Sequence, residues 1–338
     1  MMVEDLIKDL LLRQYSQAAE EIELISYSSK MVYKVRLANK KNYIFELFMK
    51  KDQEDSTSNE DNDKYFTMEA IVSEARILHV LKEKVPELKC PSPIANKEGK
   101  LLSSITVNGT SLPCLLRTYI AGVELVKGSP AYGKQAYDAG VAAAKLHHCS
   151  IQHMQSEYNN RPVHRQSYVQ NIIETLRRGI AVGTITTAQY TIVKDALAFI
   201  KRRMDELDQS PDNLGIVHTD LRDANFLTDG ETVIPIDFGR CVYGYLLYDL
   251  GEMCAHMGGD TSDILQIVKG YHSIRPLNRY DIVTIEAFKM LFILSVVAEF
   301  ILQTDNAYVY DTLEKLTGKD LVHLLNGEPV IEGIRSIL

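Results

Sequence analysis

In the first third of the chain, short apolar runs are spaced as in strands; beyond it, apolar positions recur at helical spacing. Two runs rich in Val, Ile, Phe and Tyr, 31–37 and 42–49, flank Ala38-Asn39-Lys40-Lys41. Strand-like runs on either side of a short polar break predict a β-hairpin. Residues 68–82 set Ile71, Ala75, Leu78 and Leu81 near the 3.6-residue period, so a helix packed on that sheet is expected. Pro86, Pro91 and Pro93 end it. Strands are expected again over 101–107 and 112–120, followed by a break at Ala121-Gly122. Beyond the break, 134–148, 164–178, 187–207, 247–256, 262–271 and 280–303 carry helical patterns, interrupted by a strand-like segment at 215–236. The first thirteen residues mix Glu4, Lys8 and Asp9 with Leu6, Ile7 and Leu10, which predicts an amphipathic helix rather than a leader. A β-rich part followed by a larger helical part is an α+β architecture.

Composition adjusts this picture in three places. A net charge of −8 argues against nucleic acid and anionic membrane surfaces, which require a basic field, and suits a cationic partner. Cys90, Cys114, Cys149, Cys241 and Cys254 are scattered without a C-x-x-C pair, so a reducing, cytoplasmic setting is expected. The apolar stretch 290–302 falls short of the roughly 20 residues of a membrane span and reads as a buried helix. The segment 51–64 has no apolar residue and reads as a loop insertion.

Candidate chemistry is concentrated in 215–240, GIVHTDLRDANFLTDGETVIPIDFGR. It contains His218-x-Asp220-x-x-x-x-Asn225, two short β-runs around Thr228-Asp229-Gly230-Glu231, and then Asp237-Phe238-Gly239. Phosphoryl transfer needs an acceptor hydroxyl in line with the γ-phosphate and a cation to neutralise the transferring oxygens. Magnesium takes hard oxygen ligands, usually one or two from carboxylates. Asn225 and Asp237 are such ligands, and a hairpin between them would bring their loops side by side. Asp220 lies five residues before Asn225, near enough to accept the hydroxyl proton. A zinc site on His218 and Asp220 lacks a third ligand. Among other polar residues, His147 and His148 read as a helix end, and Asp249 as a helix start with bracing of the catalytic loop as a second role. Glu252, Asp260 and Asp263 read as a solvated acidic face or a substrate pocket.

These motifs resemble those of the aminoglycoside phosphotransferase and choline kinase-like family, which has a two-lobed protein-kinase-like fold. The resemblance implies ATP or GTP and Mg²⁺ as cofactors and a small-molecule hydroxyl acceptor, with an amine-bearing one fitting the net charge. It makes Asp220 the catalytic aspartate, Asn225 and Asp237 the metal ligands, Arg222 a group stabilising phosphate charge and His218 a scaffold. It divides the chain into a nucleotide lobe at 1–116, a hinge at 117–122 and a helical lobe at 123–338. LLRTYIAG, 115–122, is similar to the family's hinge, implying adenine contacts from the backbone of Thr118 and Ile120. Glu74 resembles the glutamate that pairs with the nucleotide-binding lysine. The run after Asp237 is also similar to a stress-response Ser/Thr protein kinase.

The pattern departs from the family in YIFELF, 43–48, where a lysine or arginine is usual at the position held by Glu46. Glu46 would then face Glu74 as a like charge, which disfavours ionisation of both. The turn holding Ser29 and Lys30 should cover the phosphates, with Lys30 the compensating cation. Glu46 also admits a nucleotide-binding pseudokinase as a third reading.

Overall fold

The computed structural model describes residues 2–27, 30–49 and 64–338. Ser29, Lys50 and nearly all of the acidic insertion lie outside the described residues. The chain divides into two units: Met1–Gly122 with Asn159–Pro162 and Ile236–Arg240, and Val123–Tyr158 with Val163–Pro235 and Cys241–Leu338.

The first unit is built on an antiparallel sheet of β1 (Ala19–Tyr27), β2 (Lys30–Leu37), β3 (Asn42–Phe48), β4 (Leu102–Val107) and β5 (Thr110–Thr118), in the order β1-β2-β3-β5-β4. Helix α1 (Val3–Tyr15) places Ile7, Leu10, Leu11 and Tyr15 against Tyr33, Val35, Phe45, Leu47, Cys114 and Leu116. Strand alternation therefore commits the odd positions of β2 and β3 to the α1 side. The opposite face carries Phe48 and Leu115, packed with Ile71 and Ala75 of α2 (Met68–Lys84). The Thr67 hydroxyl starts α2 by accepting from the Ala70 amide at 3.2 Å. Any polar side chain at an even position of β3 must thus be accommodated under α2.

The second unit carries α3 (Tyr132–His153), α4 (Gln166–Val182), α5 (Thr187–Leu207), α6 (Leu247–His256), α7 (Thr261–Ile274) and α8 (Arg279–Phe300). Two three-stranded sheets accompany them. One orders β10 (Val233–Pro235), β9 (Phe226–Thr228) and β6 (Val123–Glu124); the other orders β7 (Val163–His164), β11 (Val242–Tyr245) and β8 (Leu214–Val217). Helices α3 and α7 meet through reciprocal glycines. A methyl group at Gly140 would lie 2.0 Å from the Ile267 carbonyl oxygen, and one at Gly270 would lie 1.9 Å from that of Tyr137. Two backbones this close leave no room for a side chain.

Helix α3 runs one turn past the expected 148, because Cys149 and Ser150 are buried and the Ser150 hydroxyl accepts from the Ile216 amide of β8. Helix α8 opens with a reciprocal cap between Asn278 and Asp281, and its buried residues span nearly its whole length. No helix among the described residues is long and apolar enough to cross a membrane. Residues beyond 303, where no element was expected, form α9 (Ala307–Lys315), a short π-helical turn and α10 (Leu321–Asn326). All five cysteines are buried.

Candidate active site

Within the first unit, five charged side chains converge under α2. The register pairs Val32 with Glu46, Lys30 with Phe48, and Ile44 with Arg117. Directly opposed residues share a face, so Lys30 and Arg117 flank Glu46 diagonally from the two neighbouring strands. Lys30 Nζ lies 2.6 Å from Glu46 Oε1 and 3.3 Å from Asp237 Oδ1. The Arg117 guanidinium binds Glu46 on the other side and donates to Glu74 Oε1 at 2.6 Å.

Two expectations are corrected here. Glu74 is paired with an arginine from β5, not with a lysine. Glu46 and Glu74 are not a repelling pair, because Arg117 ion-pairs with both. Burial alone would raise the Glu74 carboxyl, but Arg117, with Lys30 and Arg161, holds it below its ordinary value. Burial would likewise lower the Lys30 amine, yet Glu46 and Asp237 hold it above the usual lysine range. Arg161, which the sequence reading passed over, donates to the carbonyls of Ala70 at 2.7 Å and Gly239 at 2.6 Å, tying α2 to the segment after Asp237.

Thr118 and Ile120 lie at the exit from β5. The Thr118 amide donates to the Ser92 carbonyl at 2.9 Å.

The second unit holds Asp220, Arg222 and Asn225 on one tight loop after β8. Asn225 Nδ2 donates to the Asp220 backbone carbonyl at 2.8 Å, and the Asn225 amide to the Arg222 carbonyl at 2.8 Å. The first of these bonds orients the Asn225 side-chain amide. Arg222 Nε lies 3.3 Å from Asp220 Oδ1 and its side chain is half exposed. Strands β9 and β10 pair with Phe226 opposite Pro235, the hairpin expected after Asn225. Asp223 accepts from the Tyr132 hydroxyl and lies 3.2 Å from Lys127 Nζ.

Beneath the loop, Asp249 and His147 act as a buried brace. Asp249 accepts from the amides of His218 at 2.8 Å and Thr219 at 2.9 Å, and from His147 Nε2 at 3.0 Å. His147 Nδ1 lies 2.9 Å from the Tyr271 hydroxyl. Asp249 stands in the first turn of α6 and braces the loop bearing Asp220, both of which were expected of it. The reading of His147 as a helix end is corrected, because it lies within α3, which continues to His153. Asp260 is the cap of α7, accepting from the Asp263 amide at 3.0 Å, whereas Glu252 is buried.

Thr219, next to Asp220, and Asp237 both have φ near +60°. For residues with a Cβ this left-handed backbone costs on the order of 1–3 kcal/mol and persists where surrounding bonds enforce it. At Thr219 the enforcing bond is the one to Asp249.

The brace has a pH signature. Burial alone would raise the Asp249 carboxyl, but the hydrogen bond from His147 outweighs it and the group stays below its ordinary value. Burial lowers His147, and the Asp249 bond offsets this only in part. His147 is therefore neutral, with its proton on Nε2 toward Asp249. The unfolded chain protonates this imidazole near pH 6.5, the folded chain only at lower pH. Its stability contribution is complete above that value and declines as pH falls below it, by at most about 1.4 kcal/mol per pH unit. Urea unfolding from pH 7.5 to 5.0 should show a smaller acid loss in His147→Gln than in the wild type; equal slopes would contradict a neutral His147.

The chain belongs to the phosphotransferase enzyme family, whose sequence pattern matches residues 30–281, and it is accordingly a kinase. No curated protein sequence matches it. Its fold is similar to that of an aminoglycoside phosphotransferase from Alicyclobacillus acidocaldarius, at 10% identity over 94% of this chain and 93% of that one, with a TM-score of 0.64. A microcompartment-associated aminopropanol kinase is 17% identical over 90% of this chain and 91% of that one, with a TM-score of 0.61. A spectinomycin phosphotransferase in complex with ADP and spectinomycin is 15% identical over 95% and 96%, with a TM-score of 0.60. The α+β, protein-kinase-like class expected from the sequence is thereby established.

Proposed function

We propose that this protein transfers the γ-phosphate of ATP or GTP to a hydroxyl group of a small molecule. The observation that carries this reading is the position of Asp220, on a strained loop held from beneath by Asp249, in a chain of the phosphotransferase family. Asp220 accepts the proton of the acceptor hydroxyl as its oxygen forms a bond to the γ-phosphorus. The bond from phosphorus to the β–γ bridging oxygen breaks, and the nucleoside diphosphate leaves. Arg222, on the same loop, stabilises charge on the phosphoryl group.

Asn225 and Asp237 are the residues that would hold Mg²⁺. Both are hard oxygen donors, and the Asn225 side-chain amide is oriented by its bond to the Asp220 carbonyl, so the set fits that ion. A bound divalent cation would neutralise charge on the transferring oxygens. Lys30 contributes the phosphate-binding cation of the first unit, and the backbone of Thr118 and Ile120 would meet the base.

A net charge of −8 favours an amine-bearing acceptor. The aminopropanol kinase among the similar folds is consistent with that class. Incubation with Mg-ATP or Mg-GTP and a panel of amino alcohols, neutral alcohols and proteins, followed by phosphorus NMR, tests the reading. Phosphate esters on small alcohols are expected. Incorporation into proteins alone would replace it with the Ser/Thr protein kinase reading.

A further inference from the structure

We infer that Glu46 is a positioning residue for Lys30, so that the phosphate grip in this chain is carried by β2 and aligned by a carboxylate on β3. This rests on the reading of Lys30 as the phosphate-binding cation. Of the two cations that flank Glu46, Arg117 has only 3% of its side chain exposed and Lys30 has 11%, so Lys30 is the one a ligand can reach.

The Lys30 amine stands between two carboxylates, at 2.6 Å from Glu46 and 3.3 Å from Asp237. The shorter contact is to the buried residue, whose own orientation is fixed by Arg117 from the far side. Arg117 in turn is held by Glu74 of α2. The sequence Glu74, Arg117, Glu46, Lys30 is therefore a row of alternating charges running from α2 to the first residue of β2. Its members are contributed by α2, β5, β3 and β2, and the sheet register alone puts the last three on one face. Without the Glu46 charge, the Lys30 amine would lose its shorter ion pair and settle on Asp237. A lysine closed onto that carboxylate would be withdrawn from the phosphates and would compete with any cation for Asp237.

The same contacts explain why a carboxylate is tolerated on β3. With two cations beside it, Glu46 is needed to separate them, just as Arg117 is needed to separate Glu46 from Glu74. The arrangement is one in which each charge is flanked by opposite ones, the condition under which buried charges can remain ionised.

Calorimetric titration with Mg-AMP-PNP, and separately with adenosine, would test this on the wild type, Lys30→Met, Glu46→Gln and the double variant. Lys30→Met should weaken Mg-AMP-PNP about tenfold and leave adenosine unchanged, as expected for loss of a charge-assisted contact to phosphate. Glu46→Gln should weaken Mg-AMP-PNP by a comparable factor, again without effect on adenosine. The double variant should bind no worse than Lys30→Met alone, because Glu46 acts only through that amine. Additive losses, an equal loss of adenosine affinity, or no effect of Glu46→Gln while Lys30→Met is weakened would overturn the positioning role and leave Lys30 as the phosphate cation. An unaltered Mg-AMP-PNP affinity in Lys30→Met would overturn the assignment of Lys30 itself. Circular dichroism of each variant separates a folding failure from these outcomes; if Glu46→Gln does not fold, Glu46→Asp, which keeps the charge but shortens its reach, takes its place with the same expectations.

Discussion

Replacing Asp220 with asparagine is expected to reduce turnover by roughly 10²–10⁴-fold, the usual contribution of a positioned general base. Stability should hardly change, within about 0.5 kcal/mol, because the loop is held through the Asp220 backbone carbonyl rather than its carboxylate. The carboxylate itself touches the half-exposed Arg222. Asparagine keeps the shape and the carbonyl but removes the proton acceptor. Steady-state rates on the acceptor found in the alcohol panel, with thermal melting of both proteins, provide the comparison. Turnover equal to the wild type would remove Asp220 from the mechanism.

Arg117→Met should be the most destabilising of the conservative-volume changes in the sheet, costing about 3–5 kcal/mol. It leaves Glu46 and Glu74 together beneath α2 without the guanidinium that now binds both. The loss should depend on pH in a definite direction. Glu74 is held below its ordinary value in the wild type, where its contribution is present above the unfolded carboxylate value and is lost as pH falls through the folded one. In the variant, burial without Arg117 favours the protonated acid. The stability gap should therefore narrow as pH is lowered from 7 toward 4, as followed by urea unfolding. A gap that is constant with pH would mean that lost packing, not unpaired charge, sets the cost.

Both substitutions illustrate how unevenly the site could be read from the chain. The loop from His218 to Asn225 is local: Asn225 follows Asp220 by five positions, and a short segment can announce its chemistry by residue type and spacing. The helices were legible where periodicity was long and one-sided, as in α2 and α5. Strand β1 was less so, because its Glu20, Glu21 and Glu23 leave a mostly exposed edge with little alternation. The short helices after residue 303 offer too few turns for a period to emerge.

The residues that were misread are those whose partners are distant in sequence. His147 and Asp249 are 102 positions apart, and Arg117 is 43 from Glu74. Arg161 belongs to a four-residue segment, Asn159–Pro162, that no pattern marks and that joins the first unit. A signal for Arg117 did exist: antiparallel pairing of the strand containing Glu46 with the one containing Arg117 would have put both on the helix-facing side. Using it required the register, which neither strand specifies alone.

What the sequence determined by itself was the α+β class, the order of its elements and the loop bearing Asp220 and Asn225, since propensity, periodicity and short-range spacing act over a few residues. What only the tertiary structure decided was how charge is balanced under α2 and beneath the catalytic loop. A buried carboxylate is stable only with donors or cations at hydrogen-bond distance. Which residues supply them follows from strand register and helix packing, so Glu46, anomalous when read along the chain, is an ordinary member of an alternating row once β2 and β5 are set beside it.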